Sequence, residues 1–181
     1  LDLKKLIPLL ALTIIFSIGG AYLLINSSDE FFLQFIPFLI LIATLLFLFN
    51  PSSELASVNS SASLPQKIGL SIVSTYGGYF NGGLGIALLS VLSLGSQFSL
   101  KQMSAVKSLI SFLITTVSVC VFLFNGFIVW SYVVYMIIFS VLGGFTGAKL
   151  TEVLPTKLVR KFIIFVGLSL SASLIFIGYI K

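Results

Sequence analysis

The 181-residue sequence has no histidine, one cysteine and five carboxylates. The carboxylates are Asp2, Asp29, Glu30, Glu54 and Glu152, all at the ends of apolar stretches or in the connections between them. A metal site, a carboxylate proton relay or an acid–base pair within a membrane needs such groups inside an apolar stretch. Enzymatic chemistry, a bound metal or cofactor, and a cation path built on intramembrane acids are therefore not expected. The single thiol, Cys120, excludes an intrachain disulfide and is expected to serve packing within its apolar run. Charge of either sign is scarce, at 8% of residues, against about 25% in a soluble domain. A chain with so little charge cannot present a wettable surface, so its solvent is lipid. The ten Lys and Arg give a net charge of +5. They are spread over segment ends and connections with no dense patch. That distribution suits topology and contact with the lipid bilayer rather than nucleic acid.

What the sequence has in abundance is apolar length. Hydrophobic residues make up 58% of it, and the mean hydropathy is +1.19. Six stretches, 6–25, 31–49, 68–95, 102–124, 127–148 and 158–180, approach or exceed the ~20 residues that cross a bilayer as helix. They are continuous and rich in Leu, Ile and Phe, without the alternation of barrel strands. The expected fold is all-α: a polytopic helical membrane protein with about six transmembrane segments. Residues 1–21 have the outline of a signal peptide, with Lys4 and Lys5 before an apolar stretch. An internal repeat argues against that by giving this segment a counterpart.

The repeat has an offset of 127 residues. Gly20-Ala21-Tyr22-Leu23 aligns with Gly147-Ala148-Lys149-Leu150, Phe35 with Phe162, Ile36 with Ile163 and Phe38 with Phe165. The copies cover segments 1–2 and 5–6. Segments 3–4 lack a partner, so the expectation is a two-repeat protein whose start, absent before Leu1, would add roughly 60–80 residues with two helices and a second Gly-rich segment. The domain expectation is then 1–49 as the back half of a first repeat, 50–67 as a serine-rich linker and 68–181 as a complete second repeat. With all six segments spanning, Lys4, Lys5, Lys67 and Lys181 share one side, and Lys101, Lys107, Lys149, Lys157, Arg160 and Lys161 the other. That split weakly favours the second side as cytoplasmic, and a re-entrant segment would overturn it.

Chemistry concentrates in Ser74–Gly85, reading STYGGYFNGGLG. Gly77, Gly78, Gly82, Gly83 and Gly85 surround Asn81. Each glycine costs a helix interior about 1 kcal/mol against alanine, and a freed backbone group in a membrane must find a partner. The stretch admits two roles. A broken helix restarting near Leu84 would aim its positive end and Asn81 at an anionic substrate. Alternatively, the glycines serve close helix packing, Gly78 and Gly82 having small-xxx-small spacing. Lys107, six residues past Lys101, either snorkels to the interface or lines an anion path. Gly143, Gly144 and Gly147 suit helix packing. Trp130, Tyr132 and Tyr135 suit an aromatic belt.

At these residues the chain resembles the sulfite exporter (TauE/SafE) family. Tyr76–Gly85 resembles its Gly-rich opening, and Met103-Ser104-Ala105-Val106-Lys107-Ser108 its small-residue-and-lysine element. Phe124–Trp130 resembles its hairpin. Gly147-Ala148-Lys149-Leu150, Leu154-Pro155 and Arg160 resemble its closing step. The resemblance spans nearly the whole chain. It implies part of an eight-helix, two-repeat permease or exporter of the prokaryotic plasma membrane, carrying a small anion such as sulfite or an organosulfonate. Substrate contacts are expected at Gly77, Gly78, Asn81, Gly82, Gly83, Gly85, Lys107 and Ser108. The alternative function is a non-transporting membrane scaffold or assembly factor whose glycines only pack helices.

Overall fold

The computed structural model describes residues 3–49, 64–94 and 100–180. Every regular element among them is helical: α1 (Leu3–Ile25), α2 (Asp29–Phe49), α3 (Leu64–Tyr79), α4 (Leu84–Ser93), α5 (Leu100–Phe124), α6 (Trp130–Val153) and α7 (Thr156–Ile180). Helix is what continuous apolar runs dictate in hydrocarbon, because it satisfies its own backbone polar groups. Three helices hold stretches long and apolar enough to cross a membrane: Leu6–Ile25, Gln102–Phe124 and Trp130–Leu150. Shorter apolar stretches lie at Leu84–Ser93 and Lys161–Phe176. The expected linker at 50–67 lies outside the described residues up to 63, and its last residues already open α3.

The third apolar segment is not one crossing. Gln66, at the start of α3, donates from Nε2 to the Leu92 carbonyl near the end of α4, at 3.3 Å. A Cβ on Gly69 would lie 3.1 Å from Cγ2 of Val91, and one on Gly77 would lie 2.7 Å from Cδ1 of Leu84. The two helices therefore fold back on each other as a hairpin with its tip at residues 80–83. At 1.5 Å per residue, α3 is about 24 Å long and α4 about 15 Å, so the tip sits within the thickness of a bilayer.

This reversal sets the direction of everything after it. Leu6 and Leu9 of α1, Leu70 of α3, Leu92 of α4 and Met103 of α5 belong to one apolar cluster. The later parts of the odd helices meet in turn: Ser17 and Gly20 lie against α3 between Thr75 and Tyr79, and Ile114 lies by Gly77. Thr44 of α2 touches Gly167 of α7. Ser171 of α7 donates to the Pro37 carbonyl of α2 at 2.9 Å. That pairing is antiparallel, so α1, α3, α5 and α7 run one way and α2, α4 and α6 the other. The charge count changes with it. Lys4, Lys5, Lys67, Lys101, Lys107, Lys149, Lys157, Arg160 and Lys161 all fall in the first turns of odd helices or the last turns of α6. Among the described residues, the six-against-four division expected from six plain crossings gives way to one side that holds all nine; Lys181 lies outside them.

The closest packing is between α1 and α3. A Cβ on Gly20 would overlap the Thr75 carbonyl oxygen, and one on Gly78 the Ser17 carbonyl oxygen. Buried hydroxyls in this region mostly bond within their own helix: Thr13 donates to the Leu9 carbonyl at 2.8 Å and Ser17 to Ile14 at 3.0 Å. Two packing expectations change. Cys120 is exposed on α5. Gly143, Gly144 and Gly147 have nothing within 4 Å of a would-be Cβ, because α6 makes no substantial contact with another described helix.

Gly19 and Gly20 provide a paired test of this packing. Gly20→Ala forces the α1 and α3 backbones apart, an overpacking cost of about 1–3 kcal/mol. Gly19→Ala meets nothing within 4 Å and gains helix propensity, up to about 1 kcal/mol. Thermal unfolding of the two variants in detergent should shift in opposite directions.

Candidate functional site

The hairpin tip is where the backbone leaves helical geometry. Asn81 takes φ 61 and Gly83 takes φ 70. The left-handed region costs most side chains about 1–2 kcal/mol but suits glycine and is tolerated by asparagine. Gly83 is the N-cap of α4 and offers no side chain to its first turn. The N–H groups of Ile86 and Ala87 turn back to the Gly83 carbonyl at 3.0 and 3.3 Å, and that of Leu84 to the Asn81 carbonyl at 3.5 Å.

Two side chains from elsewhere hold the tip. The Tyr76 hydroxyl donates to the Gly82 carbonyl, which satisfies an acceptor the helix break would leave open. Asn81 Nδ2 donates to Thr115 Oγ1 of α5 at 3.2 Å. The half-buried Lys107, two turns earlier on α5, lays its stem by the first turn of α4. Its Cδ is 3.9 Å from where a Cβ on Gly85 would sit. Lys107, Ser111, Thr115 and Ser118 recur at helical spacing and form a polar arc on α5 beside the cluster formed by Val106, Ile110 and Ile114. The same α5 arc thus puts a cation beside the first turn of α4 and, two turns further on, a hydroxyl beside the Asn81 amide. The carboxylates of the described helices, Asp29, Glu30 and Glu152, all lie in first or last turns.

The other side of the tip differs. Gly82, Gly83 and Phe80 border a cleft of about 490 Å³ between α2 and α7. Its walls are mainly aliphatic and aromatic, and Thr44 brings a hydroxyl that is already bonded to the Ile40 carbonyl at 2.7 Å.

The eight residues expected to contact substrate therefore separate. Gly85 and Lys107 are neighbours on the α5 side, where Asn81 is held separately by Thr115. Gly82 and Gly83 form the turn that borders the cleft. Gly77 and Gly78 are buried packing positions, because Leu84, Ile114 and the Ser17 backbone fill the space around them. Ser108 is exposed and donates to the Ser104 carbonyl of its own helix at 3.0 Å. Thr115, Ser111 and Tyr76 are additions. The two hydroxyls carried a sequence signal, a 3–4 residue recurrence after Lys107, while Tyr76 carried none beyond its closeness to the glycines.

Tyr76→Phe removes the hydroxyl from the Gly82 carbonyl. Stability should fall by about 1 kcal/mol, and amide exchange at Gly83–Ile86 should rise before exchange elsewhere. Tyr22→Phe, at an exposed ring on α1, should leave both unchanged.

The family model described as sulfite exporter TauE/SafE matches residues 1–174. A protein of Haemophilus influenzae described as a probable membrane transporter protein is 29% identical over 159 residues. That match covers 85% of this chain and 62% of the relative, so the chain spans less than two thirds of the relative's length. No solved structure matches. The chain belongs to the sulfite exporter TauE/SafE family of membrane transporters.

Proposed function

We propose that this family member moves a small anion, such as sulfite or an organosulfonate, past the tip of the α3–α4 hairpin. The carrying observation is that the polar arc of α5 meets the hairpin twice, Lys107 lying by Gly85 in the first turn of α4 and Thr115 holding Asn81 at the tip. An anion leaving water needs charge and hydrogen-bond donors; Lys107 supplies both, and the positive end of the α4 dipole adds to the charge. Asp29, Glu30 and Glu152 lie in first or last turns, whereas Lys107 lies two turns into α5. Thr115 holds the Asn81 amide, and Ser111 adds a hydroxyl between Thr115 and Lys107. The alternative, a scaffold whose glycines only pack helices, accounts for Gly20, Gly77 and Gly78 but leaves the polar arc of α5 without a role.

The setting we propose is the prokaryotic plasma membrane, crossed several times. The side carrying the nine Lys and Arg of the described helices is cytoplasmic, following the excess of basic residues in cytoplasmic loops.

In proteoliposomes, full-length protein should carry sulfite or a sulfonate, and its melting temperature should rise with the transported anion. Lys107→Ala combined with Asn81→Ala removes one charge-assisted contact of about 1.5–3 kcal/mol, so flux should fall at least about tenfold. Unchanged flux would remove the α5 arc as the site. A scaffold would show neither flux nor stabilisation by any sulfur oxyanion. For orientation, in a Cys120→Ser background, Ser27→Cys should react with an impermeant maleimide on intact cells and Leu154→Cys only after lysis. The reverse pattern would invert the assignment.

A further inference from the structure

We propose that the junction of α6 and α7 is a binding site for an anionic phospholipid. The lysines of the junction take the headgroup, and an acyl chain runs along the aromatic side chains one turn deeper. The site is separate from the hairpin tip and does not depend on which anion is carried. Charge is concentrated at this junction. Of the nine cations on the basic side, Lys149, Lys157, Arg160 and Lys161 fall between residues 149 and 161, against one carboxylate, Glu152. Lys149 stands at the end of the apolar stretch Trp130–Leu150, and Lys161 opens the stretch Lys161–Phe176. The helices run in opposite directions and are joined through Leu154 and Pro155. Both lysines therefore stand at one membrane boundary, where their stems lie on hydrocarbon and their charges reach the headgroups.

Beneath each lysine the helix carries an exposed ring. Lys149 Nζ lies 4.6 Å from the centroid of the Phe145 ring, one turn deeper on α6, and Phe145 is 61% exposed. On α7, Lys157, Lys161 and Phe165 follow at steps of four and so share one face. Lys161 is exposed there, and Phe165 is 70% exposed. The side of α7 that meets α2 carries Gly167 and Ser171 instead. The same order, cation and then ring, is thus read on two consecutive helices from the membrane boundary inward. The two helices do not pack along their lengths, which leaves both rings open to lipid.

That order specifies the occupant. A soluble anion would use the cations and leave the rings without a role. A zwitterionic lipid would cover the rings, but its own cation offsets its phosphate. A phospholipid of net negative charge uses both, and its attraction grows with each Lys or Arg near the surface. The opposite ends of the helices have the reverse chemistry. There α2 begins with Asp29 and Glu30, and the connection 125–129 is uncharged. The site therefore serves one leaflet.

The test titrates full-length protein in detergent with dioleoylphosphatidylglycerol or dioleoylphosphatidylcholine and counts bound lipid by native mass spectrometry. The anionic lipid should bind at least about tenfold more tightly. Lys149→Gln combined with Lys161→Gln should abolish that preference, and Lys149→Arg combined with Lys161→Arg should keep it. Lys67→Gln combined with Lys101→Gln, at the starts of α3 and α5, should also keep it. Equal losses in the two Gln pairs would overturn the proposal in favour of diffuse attraction to the whole basic side. Displacement of the lipid by equimolar glycerophosphoglycerol or sulfite would overturn it in favour of a site for free anions. In native membranes, a photo-crosslinking residue at position 145 of the otherwise unchanged protein should form adducts enriched in anionic lipid over its share of the membrane. This measurement removes no charge, so it decides the matter even where a Gln variant fails to fold. Adducts that follow the bulk lipid composition, or that form with protein, would overturn the proposal.

Discussion

The structure depends on how closely the backbones of α1 and α3 approach at Gly20 and Gly78. Each glycine faces the carbonyl of the other helix where a methyl group would not fit. Lipid tails are as apolar as leucine, so helices in a bilayer gain little from hiding apolar side chains from each other. They associate through tight contact and polar groups. The contact fixes α3 beside α1, and α5 then closes over both. A chain reversal inside hydrocarbon would otherwise expose free backbone groups at a cost of several kcal/mol each. Here it occurs in the shelter of neighbouring helices.

The tip shows how a membrane protein can keep a non-helical turn. Its left-handed residues are an asparagine and a glycine, the two types for which that geometry is least unfavourable. Tyr76 occupies one acceptor the turn leaves, and Thr115 fixes the one polar side chain at the apex. The turn therefore separates the hydroxyls and lysine of α5 from a mostly apolar cleft bordered by α2 and α7.

Much of this was legible in the sequence. Scarce charge and long continuous apolar runs identify the solvent. Clustered glycines mark Ser74–Gly85 as unable to form a plain helix, and a restart near Leu84 is where α4 begins. The fold-back was not legible, because LGIALLSVLS is equally apolar whether it continues across or returns. Only Gln66 reaching Leu92 and Gly69 meeting Val91 decide between them. The two functions of the glycines were mixed for the same reason. Gly77 and Gly78 precede the turn and pack, whereas Gly82 and Gly83 make it, and spacing alone does not divide them. Thr115 was missed because a threonine in a membrane helix ordinarily bonds its own preceding turn, and its partner Asn81 is 34 residues away.

The re-entrant hairpin also bears on how the chain enters a membrane. Both ends of α3–α4 stay on the basic side, so its insertion carries no loop across. The connections at the opposite ends of the helices are 26–28 and 125–129; neither contains Lys or Arg, and the charges next to them are the acidic Asp29 and Glu30. A translocation machine handling this stretch would thread two short connections without a cation through the apolar core. The cations would meanwhile stay where an inside-negative potential already holds them.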